Sequence, residues 1–471
     1  MKTIKFKSNC LVRRIPLAVR LLILAVCACF GLASTASAQT LITGPTTSGT
    51  WSPSGNPYIV SGNVPVPDGQ TLTIQPGVLV EIGSGLTITT DGSIQAVGTP
   101  SQHITFQAPT SSQYWNQINP YTYDPSMTNR FKYCDFQNAS TALYFSSPNP
   151  GVNNIEIMNC TFSNCLTQAV EVDIGGGVTY VPIIKNCIFS GTSNGCVMYL
   201  DGAACGCSGN AYATIIGNIF QNLTGSALNL TIYIPDSSTV SFVNNTLNNC
   251  KVGVSATDPW DAQIQDNIFV GCTNAVKVSG SLSQLVSYND FYGNATNFTG
   301  YSGIYGQVFI NNRNGTPCDL LFNIYQNPLF TAVNDFHLTT SSSCVNAGTP
   351  DPEFANMCLP PSIATNFPDL GAYGGPDACN WLTTVPLLPA QLSLAKSNSF
   401  VWLSFGAIPR STYQVQFIAT NLDAASGTNR WLTNTTLIPA AKPVSIAVSP
   451  YPTTNSKAFY RVRSLGRTPG N

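Results

Sequence analysis

The sequence predicts an all-β protein, a parallel β-helix over most of the chain followed by a small β-sandwich. Three observations lead there. A four-residue phrase recurs through the middle of the 471 residues as NCTF (159–162), NCIF (186–189), GNIF (217–220), NNTL (244–247) and DNIF (266–269). The residues closing the phrases and their looser copies, Phe136, Phe162, Phe189, Phe220, Leu247, Phe269 and Phe291, follow one another after 26, 27, 31, 27, 22 and 22 residues. That spacing marks a solenoid, whose units cannot bury their apolar faces alone. Between the phrases run strand-like alternations, AVEVDI (169–174), CVMYLD (196–201), ALNLTI (227–232) and AVKVSG (275–280), joined by Gly, Asn, Ser and Thr.

Residues 1–38 read as a secretory signal peptide. Lys2, Lys5, Lys7, Arg13, Arg14 and Arg20 precede the short apolar run LLILAVCACFGLA (21–33), and Ala36-Ser37-Ala38 offers a small-residue cleavage site. A lipobox at Cys29 fits poorly beside Cys27, and VRRIPL lacks the rest of a twin-arginine motif. No later stretch is long and apolar enough for a transmembrane helix. Export is the expectation, to a secreted or cell-surface location.

Residues 39–380 form the β-helix. Two positions before each landmark stand Cys134, Cys160, Cys187, Asn218, Asn245, Asn267 and Asn289. Stacked coils turn that column into an inward cysteine stack continued by an asparagine ladder, with neighbouring strands about 4.8 Å apart. Leucine-rich repeats share a 22-residue period, but they need a leucine framework, often with an outer helix, and this chain has neither signal. The segment carries 20 acids against six cations, whereas residues 381–471 carry one acid against eight cations. An acidic body joined to a basic tail suggests two domains with different partners, and it argues against nucleic acid as a ligand of the body. Thirteen cysteines follow the signal region, an odd number that leaves at least one unpaired. Cys318, Cys344, Cys358 and Cys379 cluster where disulfide staples suit loop-rich chain. Cys205-Gly-Cys207 has no histidine near it, so a zinc site is not expected.

Two segments carry a resemblance. The entry, PYIVSGNVPVPDGQTLTIQPGVLVEIGSGLTITTDGSIQAVGTPSQHITFQAP (57–109), and the exit, with NPLF (327–330), DFHL (335–338), SSSCVNAG (341–348) and DLGAYGG (369–375), resemble secreted bacterial right-handed β-helix proteins of pectin-lyase-like fold. Asn327 and Asn346 stand where that group more often has Asp. The resemblance implies the right-handed fold and says little of activity, since the fold hosts lyases, glycosidases, epimerases and adhesins. His337 belongs to the exit motif and is expected to be structural.

A proline-bearing linker, 381–388, leads to a β module over 389–466 and a tail, 467–471. The strands FVWLSFGAI (400–408), TYQVQFIATNL (412–422), RWLTNTTLI (430–438), PVSIAVSP (443–450) and KAFYRVRSL (457–465) resemble fibronectin-III-like C-terminal modules of secreted bacterial proteins. Its positive charge would suit an anionic cell surface or the acidic β-helix itself.

Chemistry is expected on outward strand positions and loops. Glu171 and Asp173 share a strand face, about 6.6 Å apart along it. Asp201, one coil later, is expected beside Asp173. Such carboxylates suit glycoside hydrolysis as acid and nucleophile or base, or a Ca²⁺ ion held by three acids, or plain solvation. Neighbouring loops bring Tyr180, Tyr212, Tyr233, Asp236, Asp258, Trp260 and Asp261, a candidate carbohydrate wall of rings and carboxylates. A further aromatic cluster, 114–125, is expected to project near the N-terminal end. Uronate elimination needs cations, and only Lys185, Lys251 and Lys277 lie between residues 133 and 312. The glycosidase Asp-Asp pair is absent. The leading expectation is polysaccharide binding without a required cofactor. A glycosidase or Ca²⁺-assisted lyase, and an adhesive surface protein anchored by the basic module, are the alternatives.

Overall fold

The computed structural model describes residues 39–381 except 45–48, 121–126, 148–151, 176–178, 202–211, 233–238, 258–261, 280–285, 301–303 and 365–366, and, beyond 381, the backbone of six strands. The signal-peptide reading and Cys205-Gly-Cys207 lie outside the described residues.

The body is a right-handed parallel β-helix. One eleven-stranded and two ten-stranded parallel sheets run its length, and each coil contributes one strand to each sheet in turn. The repeated phrase builds the first sheet. Phe136, Phe162, Phe189, Phe220, Leu247, Phe269 and Phe291 lie in register and fully inside. Their rings stack 4.8, 4.9 and 4.5 Å apart from Phe136 to Phe220, and 4.8 Å apart at Phe269 and Phe291. The column is longer than the sequence showed, since Phe106 stacks beneath Phe136 at 5.0 Å. At the other end FNIY (322–325) supplies a further coil after a step of 34 residues, with Ile324 bridged to Asp290.

The polar column is a ladder with one job done by two residue types. Asn218, Asn245, Asn267 and Asn289 each donate from Nδ2 to a backbone carbonyl one coil back, Ile184, Ile215, Phe242 and Ile264, at 2.9–3.0 Å. Cys134, Cys160 and Cys187 aim their thiols at the equivalent carbonyls of Ala96, Phe131 and Ile157, 3.4–3.6 Å away. Buried donors need acceptors, and either side chain serves. These cysteines are therefore free, buried thiols. The staple expectation holds for one pair, Cys358–Cys379, while Cys318 and Cys344 are buried and unbridged.

The residue before each ladder position turns the corner in the left-handed region: Tyr133, Asn159, Asn186, Gly217, Asn244, Asp266, Tyr288 and Phe322, with φ of 51–70°. Asn and Asp tolerate that conformation best among residues with a Cβ, which explains the N and D opening so many phrases. Their outward side chains receive a strap, residues 344–381, that runs back along the solenoid. Thr349 N–H donates to Asp266 Oδ1 (2.9 Å), Asn244 Nδ2 donates to Asp369 O (3.0 Å), and Asn186 Nδ2 donates to Asp377 O (3.1 Å). Asn159 Nδ2 meets Asn380 O at 2.7 Å. The DLGAYGG motif owes its glycines to this contact. A Cβ on Gly375 would stand 2.2 Å from Asn244 Oδ1, and one on Gly371 would stand 2.7 Å from Thr246 Oγ1. His337 is held by Asp335 and stacked on Tyr373 at 3.7 Å. Trp115, expected to project, is instead fully buried and donates to Gln137 O at 2.8 Å.

Beyond the strap, six strands form two three-stranded antiparallel sheets. Ser393–Ser397 is a strand the sequence reading missed.

Candidate functional site

The second sheet presents the face on which the carboxylates sit. In the strand Gln168–Gly175, Val170 and Val172 point into the core, and alternation places Glu171 and Asp173 outside, both half-buried. The pairing of strands then fixes their neighbours. Glu171 lies between Tyr144 and Val197, and Asp173 lies between Ser146 and Tyr199. The expected partner is displaced. Asp201 pairs with Gly175, two residues along from Asp173, so the three acids do not converge at one point of the register. The buried residues set the register: Val170 pairs with Cys196 and Val172 with Met198, which puts Tyr199, not Asp201, beside Asp173.

Two tyrosines that sequence reasoning overlooked therefore flank the carboxylates. Tyr144 is bonded to Ser146 and Asp173, and burial together with the charges of Asp173 and Glu171 pushes its phenol up. Tyr199 is more than a third exposed. The i, i+2 alternation of CVMYLD was the signal that placed Tyr199 outward, and counting the coil offset of 26 from Asp173 would have set the two side by side. Gln168 donates to Glu171, yet half-burial and the nearby Asp173 charge still raise the Glu171 carboxyl above its ordinary range.

Beyond the buried Val197, the same face continues as a polar ribbon. The Glu171 position is followed by Val197, Asn229, Ser255 and Lys277, and the Asp173 position by Tyr199, Thr231, Thr257 and Ser279. Thr257 and Ser279 hydroxyls bond to each other at 3.2 Å.

The loop wall is only partly visible. Tyr233, Asp236, Asp258, Trp260 and Asp261 lie outside the described residues. Tyr180 and Asp201 sit in strands, Thr179–Lys185 and Asn194–Asp201, rather than in loops. Tyr212 opens the strand Tyr212–Ile216 of the third sheet and is 45% exposed. It therefore belongs to a different face from Glu171 and Asp173.

Comparison with known families gives one match. The family described as a right handed beta helix region matches residues 203–317. The matched coils follow the carboxylate pair and do not contain it. No curated protein matches the chain.

Proposed function

We propose that the protein is exported and holds an extracellular or cell-wall polysaccharide on the outer face of its second sheet. One observation carries the reading, the Glu171–Asp173 pair set between Tyr144 and Tyr199. Sugars offer C–H faces that stack on aromatic rings, and hydroxyls that donate to carboxylates. The Asn, Ser and Thr positions beyond extend the same hydrogen-bonding surface over successive coils. In this reading the loops bearing Tyr233, Asp236, Asp258, Trp260 and Asp261 wall the ribbon on one side, and the basic module, fibronectin-III-like, holds the protein near an anionic surface.

A hydrolytic reading has one observation in its favour. Glu171 is pushed up by burial, as a general acid requires, and a separation of about 6.6 Å from Asp173 along the strand falls at the short end of the range for inverting glycosidases. Glu171 would then protonate the leaving oxygen while Asp173 activated water.

Affinity electrophoresis of residues 39–471 through a panel of polysaccharides tests the binding reading. Retardation in at least one gel is expected, falling about tenfold in affinity for Tyr199→Ala, the loss of one stacking contact. Equal mobility of Tyr199→Ala and the parent in every gel would overturn it. New reducing ends that vanish in Asp173→Asn would instead establish the hydrolase.

A further inference from the structure

Cations are scarce on the β-helix: of the six described, Lys251 and Lys277 are exposed and, like Lys132, make no ion pair among the described residues, while the other three are engaged. Arg130 forks onto Glu156 at 2.5 and 3.2 Å, Lys185 pairs with Asp377 at 3.1 Å, and Arg313 lies over the Phe367 ring at 4.8 Å. Lys132 makes no ion pair among the described residues, and its Nζ stands 5.5 Å from the centre of the Tyr133 ring. The His103 ring lies 5.7 Å from that same tyrosine. His103 Nδ1 is 3.1 Å from both oxygens of Asp135, and Asp135 also accepts the Thr161 hydroxyl at 2.5 Å. Asp135 thus occupies one imidazole nitrogen and leaves Nε2 for another partner, with the side chain one-third exposed.

This cluster forms at a corner. Tyr133 makes the left-handed turn from the third sheet into the first, Lys132 ends the strand Thr128–Lys132, and His103 precedes the strand Ile104–Gln107. Among the described residues the strap reaches back to Asn159, the corner one coil later, and makes no backbone bond at Tyr133.

We infer that Lys132, Tyr133 and His103 bind an anionic sugar, a uronate carboxylate or a sugar sulfate. Lys132 supplies the charge, the imidazolium form of His103 donates from Nε2 while its Nδ1–H stays on Asp135, and the Tyr133 ring offers a face to sugar C–H groups. A polyphosphate is a poorer fit, because it needs clustered Lys and Arg and the corner offers one cation without an acidic partner. The site lies on a different face from the Glu171–Asp173 ribbon and does not rest on that reading.

Calorimetric titration of residues 39–471 tests it with three probes, a galacturonate trimer, a sulfated disaccharide and a neutral galactose trimer. At least one anionic probe is expected to bind and the neutral one not, and which anion binds separates carboxylate from sulfate. Lys132→Met and His103→Gln should each weaken the anion by about tenfold, as expected for a lost charge-assisted contact, while Arg461→Gln in the basic module leaves it unchanged. No binding of either anion, or affinity that survives Lys132→Met and falls with Arg461→Gln, would overturn the assignment.

Discussion

Asn245 and Asn267, one coil apart, are joined twice through a single oxygen. Asn267 Oδ1 accepts the Asn245 backbone N–H at 2.8 Å and its Nδ2 at 3.1 Å. Asn267 Nδ2 in turn donates to Phe242 O at 2.9 Å and to Asn289 Oδ1 at 3.0 Å. Replacing Asn267 with Leu keeps the volume and strands buried donors and acceptors on both neighbouring coils. A loss of about 3 kcal/mol or more is expected, since each orphaned group costs about 1–3 kcal/mol. Urea unfolding followed by circular dichroism measures it, and an unchanged midpoint would show that the ladder does not stabilise the stack.

Asp266 and Asp290 predict an alkaline weakness. Both are fully buried, and burial pushes their carboxyls up from an ordinary 3.8, to about 8 and about 7 respectively. Asp266 Oδ2 has no hydrogen-bond partner among the described residues, which suits a protonated acid better than an ion. The fold holds these protons to higher pH than the unfolded chain does. Their contribution is therefore full below pH 4 and is lost as pH rises through 7 and 8. Asp266→Asn keeps the acceptor for Thr349 N–H and cannot ionise. Thermal scans should show the parent losing several degrees between pH 5 and 8 and the variant losing less. Parallel slopes would refute the assignment.

The Cys358–Cys379 bridge closes a loop in the strap, its cysteines 21 positions apart. Replacing both with Ser should loosen the strap by about 3 kcal/mol, the chain-entropy value for a loop of this size. Amide exchange at Leu370, Gly371 and Ala372, whose N–H groups bond to Cys344, Asp266 and Thr246, reports it locally. Faster exchange there, with the ladder amides of Asn245 and Asn267 unchanged, is the expected pattern. Equal exchange in both places would mean that strap and coils open as one unit.

The columns were legible in the sequence because a solenoid repeats its constraints. Each coil must place an aromatic and a hydrogen-bond donor at the same two inward positions, so Phe189 and Cys187 announce Phe220 and Asn218. The outward face repeats nothing, and there the reading slipped. Asp201 was set beside Asp173, although an irregular step separates coils and only the buried residues fix the offset. Tyr144 and Tyr199 escaped notice because exposed positions obey no pattern until their neighbours are known. The cysteine column was legible as an inward stack, whereas Cys318 and Cys344 looked like staple stock because sequence clustering does not say which way thiols point. The strap was invisible for another reason. Its partners, Asn159, Asn186, Asn244 and Asp266, are as many as 221 residues away in sequence.

That strap also acts as a ruler. Its residues meet the coils of Asn159, Asn186, Asn244, Asp266 and Asp290 at five set points, so duplicating or deleting a coil within that span would carry every later contact one strand spacing out of step. Among the described residues, no strap contact reaches the coils before Tyr133. Gain and loss of repeats in descendants of this chain should therefore fall upstream, with the downstream half holding its number.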